Sequence, residues 1–87
     1  MKKIKLIKDI LIQEIDNEAV IVSPNQGMIT TVNETGAFLI LYIQDKKETT
    51  FEDLINVLSI EYDISKELII NDVKLFIREM KNNKIVE

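Results

Sequence analysis

The chain has 87 residues, of which 46% are hydrophobic and 30% are charged, and its formal net charge is −4. It contains no cysteine and no histidine, which excludes disulfides, thiolate metal sites, thiol nucleophiles and catalysis by a histidine base. We therefore expect one folded domain, residues 1–87, that is not an enzyme and that requires no cofactor or metal.

Charge and hydropathy along the chain disfavour two further classes of partner. Residues 1–8 form a basic N-terminal segment with a charge of +4, residues 9–64 carry −9, and residues 65–86 carry +2. A nucleic-acid-binding protein normally has the opposite balance, and no segment approaches the ~20 apolar residues of a membrane span. These features predict a soluble cytoplasmic protein that binds neither nucleic acid nor a membrane.

Residues 9–32 predict a β-meander of three short strands. Two β-favouring runs, residues 9–15 and 18–22, are separated by Asp16-Asn17, a pair that tolerates the positive φ of a tight hairpin. The next break contains Pro24, which presets the φ of a turn, and a third run covers residues 27–32.

Residues 33–86 predict three helices and a short extended tail. Asn33 is expected to cap the first helix, which is apolar on all sides over residues 37–43 and should therefore be central and buried. Thr50 begins the second helix, and Ser65 is expected to cap the third, with Ile64 packing against Ile69. The predicted core positions of the helices are Phe38, Phe51, Leu54, Ile55, Leu58, Tyr62, Ile69, Val73, Phe76 and Met80.

Several short motifs occur in a fixed order along residues 9–87. Residues 31–37 (Thr-Val-Asn-Glu-Thr-Gly-Ala), 61–64 (Glu-Tyr-Asp-Ile) and 72–80 (Asp-Val-x-x-Phe-Ile-x-x-Met) resemble a Leu-Asn-Glu-Thr-Gly-Ala junction, a Glu-Tyr-Asp-Val corner and an Asp-Val-x-x-Phe-Leu-x-x-Leu helix. Together they resemble the PqqD-like family of recognition elements for ribosomally synthesised and post-translationally modified peptides. The chain departs from the family at Lys84-Ile85, where a Gly-Leu pair is common, and at Leu39 or Ile40, where a Trp is common. We interpret both departures as packing positions.

The resemblance implies a fold and a function. The fold would be α+β and winged-helix-like, a three-stranded antiparallel sheet followed by three helices. The function would be that of a stand-alone element that binds the leader of a precursor peptide as a strand along the third β-strand, in the cleft facing the third helix. The leader would be presented to a partner maturation enzyme: a radical S-adenosylmethionine enzyme, a cyclodehydratase or a leader peptidase.

The residues themselves suggest where such a peptide would bind. Strand addition requires an edge with free N–H and C=O groups, and residues 27–32 contain no proline and no charge. On the third helix, a stripe beside the core combines apolar and basic side chains, which would suit a leader with acidic and bulky apolar residues. The predicted peptide-binding residues are Gly27, Met28, Ile29, Thr30, Thr31, Val32, Lys66, Ile70, Lys74, Ile77, Arg78 and Lys81.

Other interpretations stay open at this point. In one alternative, the third helix or the N-terminus covers the third strand. In another, the basic stripe is an ordinary solvated helix face. A winged-helix DNA-binding protein and an adaptor for a folded protein are the two main rival functions, and an enzyme is a remote third that the absence of histidine and cysteine disfavours. The sequence also leaves open whether the free domain forms a homodimer through its bare edge.

Overall fold

The computed structural model describes residues 3–87, so Met1 and Lys2 of the basic segment lie outside the described residues. Three strands precede three helices, and this order confirms the predicted α+β, winged-helix-like fold. The elements are β1 (Leu11–Ile15), β2 (Glu18–Ser23), β3 (Met28–Val32), α1 (Glu34–Lys46), α2 (Phe51–Tyr62) and α3 (Lys66–Asn82), with one turn of 3₁₀ helix at Pro24–Gln26 between β2 and β3.

The strands form an antiparallel sheet in the order β1-β2-β3. Ile15 pairs with Glu18, so the first hairpin has a two-residue turn, and Asp16 takes the predicted positive φ, 56°. Ala19, Ile21 and Ser23 alternate along β2 as buried residues on the face that α1 covers. Because β2 lies in the middle, β3 is an edge strand of this sheet.

Local side-chain caps position the first two helices. Asn33 Oδ1 accepts a hydrogen bond from the Gly36 N–H at 2.9 Å, and Thr50 Oγ1 accepts one from the Asp53 N–H at 3.1 Å. The predicted side-chain cap at Ser65 is wrong, since its hydroxyl makes no capping bond. The first turn of α3 is closed by the backbone instead, because the Leu68 N–H donates to the Ser65 carbonyl at 3.1 Å.

The core lies between the sheet and the three helices. Most predicted helix core positions are buried, but the four aromatic ones, Phe38, Phe51, Tyr62 and Phe76, are only partly buried and pack at the margin of the core. The buried hydrophobic set is Ile4, Ala19, Ile21, Val32, Ala37, Leu39, Ile40, Ile43, Leu54, Ile55, Leu58, Ile69, Val73, Ile77, Met80, Ile85 and Val86.

Residues 4–7 of the N-terminal segment bond to two distant parts of the chain. The backbones of Ile4 and Thr49 exchange hydrogen bonds of 2.7 and 2.9 Å, and Leu6 bridges to Val86. Ile4 and Val86 are buried. In the predicted tail, residues 84–87, Lys84 lies in a turn and Val86 forms the bridge to Leu6. The contacts of residues 4–7 were not predicted from the charge of the N-terminal segment.

The two departures from the family motifs have different structural causes: one is a packing position, and the other concerns backbone conformation. Leu39 and Ile40 are buried packing positions, as expected. Lys84, however, is exposed and has a left-handed φ of 60°. Its N–H donates to the Lys81 carbonyl and the Ile85 N–H donates to the Met80 carbonyl, which is the hydrogen-bond pattern of a Schellman motif that favours glycine at this position.

Candidate functional site

The free side of β3 offers an unpaired backbone edge. β3 pairs with β2 on one side, and within residues 3–87 its backbone makes no hydrogen bond outside that pairing. Ile29 is 71% exposed and Met28 is 36% exposed, whereas Val32 is buried where the strand meets α1. This edge retains the donors and acceptors that an additional strand would use.

A cleft of about 520 Å³ separates this edge from α3, and we call it the β3–α3 cleft. Thr31 and Val32 line its strand side. Leucine, aromatic and acidic side chains line its helix side, namely Asp72, Leu75, Phe76 and Glu79. Asn33, Thr35, Gly36, Leu39, Leu58 and Val73 complete the lining.

Gly36 allows α1, β3 and α3 to meet at the cleft. A Cβ at this position would lie 2.9 Å from the Cβ of Val32 and 3.2 Å from Cε1 of Phe76. The first distance is shorter than real Cβ contacts allow, so the absence of a side chain is a packing requirement here. The glycine of the junction motif therefore shapes one end of the cleft.

The structure separates the predicted peptide-binding residues into two places. On the strand, Met28 to Val32 lie in β3, and Gly27 precedes it with a left-handed φ of 62°. On the helix, Lys74, Ile77, Arg78 and Lys81 line a different groove of about 400 Å³, together with Ile4, Phe51 and Asn82. We call this the rear groove. Lys66 and Ile70 line neither cavity.

The rear groove and the β3–α3 cleft lie on opposite flanks of α3. At about 100° per residue, Lys74 is rotated by about 200° from Asp72 and from Phe76 around the helix axis. The expectation that the basic stripe faces β3 is therefore corrected. A core stripe has two flanks, and its spacing does not say which of them the tertiary fold turns towards the strand.

The flank that does face the cleft is acidic and apolar. Asp72 and Glu79 are the charged residues in the cleft lining. Leu75 lies between them in sequence and is 58% exposed, and Leu68, two turns earlier on the same flank, is 73% exposed. In the sequence, the signal that could have identified this flank was the presence of two leucines, Leu68 and Leu75, outside the predicted core stripe.

Comparison with known proteins decides the family. The sequence profile of the family described as Coenzyme PQQ synthesis protein D (PqqD) matches residues 18–86. The chain belongs to the PqqD family. The resemblance seen in the sequence motifs is thereby confirmed, while no curated protein sequence matches the chain.

Two solved structures share the fold of this PqqD-family domain. One is described as TbiB1 in complex with the TbiA(beta) leader peptide, with a TM-score of 0.85, 18% identity, and coverage of 95% of this chain and 94% of that chain. The other is described as lasso peptide synthetase B1 complexed with the leader peptide, with a TM-score of 0.78, 19% identity, and coverage of 97% and 96%. At these identities the likeness establishes the shared fold.

A hydrogen-bonded carboxylate joins α1 to α2 in this PqqD-family domain, away from the cleft. Asp53 accepts hydrogen bonds from the hydroxyls of Thr49, at 2.7 Å, and Tyr42, at 2.8 Å. These bonds favour the ionised form and hold the pKa of Asp53 below its usual value, with Thr49 contributing most. The same Asp53 bond raises the pKa of Tyr42.

Two other kinds of feature are absent from residues 3–87. No helix in this part of the chain is long and apolar enough to cross a membrane. No group of three or more carboxylates in it is arranged to hold a metal ion.

Proposed function

We propose that this PqqD-family chain binds the leader segment of a ribosomally synthesised precursor peptide as a fourth strand along β3. The observation that carries the proposal is an unpaired edge strand facing a cleft of about 520 Å³. The two solved structures of the same fold are, by their descriptions, complexes with leader peptides. In this role the domain presents a peptide and catalyses no reaction itself.

The proposed site keeps the predicted strand half, Gly27 to Val32, and takes a different helix wall. In an added strand, alternate side chains would point towards the helices, where Leu75 and Phe76 offer apolar contact. Asp72 and Glu79 would favour a basic side chain in the leader over the acidic one expected from the sequence. Leader contacts with the predicted Lys66, Ile70, Lys74, Ile77, Arg78 and Lys81 would need the peptide to extend beyond the cleft.

The partner that receives the leader is proposed to be a cytoplasmic maturation enzyme. Candidates are a radical S-adenosylmethionine enzyme, a cyclodehydratase and a leader peptidase, because each acts on a precursor that a leader-binding domain would bring to it. A gene for one of these enzymes beside the gene for this chain and a short precursor would identify the class.

An NMR titration with proline variants tests the proposed edge. The ¹⁵N-labelled domain is titrated with the leader of the precursor encoded beside its gene, and we expect amide shifts in β3 and in residues 72–79. Proline is introduced in turn at Ile29 and at Thr30, because alternate residues of an edge strand direct their N–H to the free side. The variant that removes a free-side donor should stay folded and lose binding.

Leu11→Pro, at the first residue of β1 on the opposite edge, is the matched control and should bind the leader normally. Leader binding that is unchanged in both folded β3 variants, or shifts confined to the surface of α1 and α2, would contradict strand addition. The second pattern would favour the adaptor for a folded protein.

A further inference from the structure

The rear groove combines a basic rim with an apolar floor. Lys74, Arg78 and Lys81 form the rim, and all three side chains are exposed. Ile4 and Ile77, at 4% and 8% exposure, lie at the floor. The half-buried ring of Phe51, at the start of α2, adds an aromatic wall.

The rim cations have no carboxylate partner in the part of the chain that the structure describes. The ion pairs among residues 3–87 are Lys3–Glu48 and Lys5–Glu87, both elsewhere. The three cations follow one another at spacings of four and three residues, where like charges repel and destabilise a helix. Lys81 lies in the last turn, where the helix dipole favours a cation, but Lys74 and Arg78 lie in the interior and lack that compensation.

We propose that the rear groove docks an acidic segment of a second protein, with an apolar side chain against its floor and carboxylates on its rim. Charge complementarity selects this occupant, because three unpaired cations cluster on one face of a chain whose net charge is −4. The guanidinium of Arg78 supplies a two-pronged donor that suits a carboxylate. Phe51 and Ile77 supply the apolar contact that a solvated row of lysines lacks.

The position of the groove allows two peptides to bind to α3 together. Lys74 lies about half a turn around the helix from Asp72, which lines the β3–α3 cleft. An acidic segment in the rear groove therefore leaves the β3 edge free. The rear groove would be the attachment point for a partner that must reach the domain while the cleft is occupied.

An NMR titration at low ionic strength with a short synthetic peptide of Glu, Leu and Phe tests this proposal. Amide shifts are expected in the last two turns of α3 and at Ile4 and Phe51. The same peptide with Gln in place of Glu should bind several times more weakly. In K74E/R78E, affinity for the Glu peptide should fall roughly tenfold, about threefold for each lost ion pair.

K8E/K66E is the matched control, because it changes the net charge by the same amount at exposed positions outside the groove. Equal weakening in this control, equal binding of the Gln peptide, or shifts in β3 that leave the amides of Ile4 and Phe51 unchanged would overturn the proposal. Short duplex DNA that shifts the rim residues where the Glu peptide does not would also overturn it, in favour of phosphate. K74Q/R78Q repeats the test with a milder change if the double reversal unfolds the domain. Failure here would leave the leader-induced shifts of β3 unaffected, so the two proposals are judged separately.

Discussion

Gly36 is the residue on which the shape of the β3–α3 cleft most depends. Alanine is intrinsically better than glycine in a helix by about 1 kcal/mol. Its Cβ, however, would lie 2.9 Å from the Cβ of Val32, and that atom is fixed to the β3 backbone. Overpacking of this kind costs about 1–3 kcal/mol, so the steric cost exceeds the helix gain.

We therefore expect Gly36→Ala to lower the free energy of unfolding by about 1 kcal/mol and to weaken leader binding. Urea denaturation measures the first effect and calorimetric titration the second. Asn56→Ala, at an exposed helical position with no such contact, serves as the control and should not destabilise the domain. A stabilised Gly36→Ala variant would show that β3 moves freely at this point.

Lys84 is a second residue at which a substitution should change stability, and here the cause is its backbone conformation. A non-glycine residue in the left-handed region costs roughly 1–2 kcal/mol, and a glycine adds about 0.5–1 kcal/mol of unfolded-state entropy. Lys84→Gly should therefore stabilise the domain by roughly 0.5 kcal/mol. Lys84→Ala, which keeps the Cβ, is the comparison in urea denaturation, and equal stability of the two variants would contradict the argument.

At the scale of single elements, what the sequence predicts correctly is local. The caps at Asn33 and Thr50 each join positions three residues apart, so both could be predicted without the fold. The bridge between Ile4 and Thr49 could not, because nothing in either segment identifies a partner so distant in sequence. The same limit explains the misplaced helix wall, since the choice of flank on α3 depends on how the helix packs in three dimensions.

The flank of α3 that lines the cleft sets the charge preference for the leader. Asp72→Asn with Glu79→Gln should weaken binding of a leader that places a basic residue there by roughly threefold and should reduce its salt dependence. Glu67→Gln, at a position outside the cleft lining, is the control. Calorimetric titration at two salt concentrations measures the effect, and tighter binding after charge removal would indicate an acidic leader instead.

The junction of α1 and α2 predicts a pH dependence of stability. The pKa of Asp53 is lowered in the folded state, so its contribution to stability is present above the unfolded pKa of about 4 and is lost as the pH falls through the folded pKa. Asp53→Asn should therefore destabilise the domain by about 1 kcal/mol near neutral pH and by less in acid. Glu52→Gln, in the same helical turn, controls for the helix dipole. Urea midpoints measured across the acid range should converge for wild type and Asp53→Asn, and a constant gap would contradict the assignment.

At the scale of the whole molecule, two partners could pair with the β3 edge: a leader strand and a second copy of the chain. Monomeric proteins usually protect edge strands with charge, proline or a bulge. Here residues 28–32 contain no charge and no proline, and Ile29 is among the most exposed apolar side chains. A second copy of the chain and a leader strand would need the same free N–H and C=O groups, so the two should exclude each other.

We expect the free domain to self-associate weakly through β3 and the leader to convert it to a complex with one domain and one peptide. Sedimentation velocity over a range of concentrations, with and without the leader, measures both states. Ile29→Lys places a charge on the edge and should hold the free domain as a monomer, while Leu11→Lys on the opposite edge should not. A dimer that persists when leader is saturating would place self-association on another face of the molecule. If the domain stays monomeric at every concentration, the free edge of β3 alone does not drive association with another strand. Strand addition by the leader would then depend on the contacts that α3 provides across the cleft.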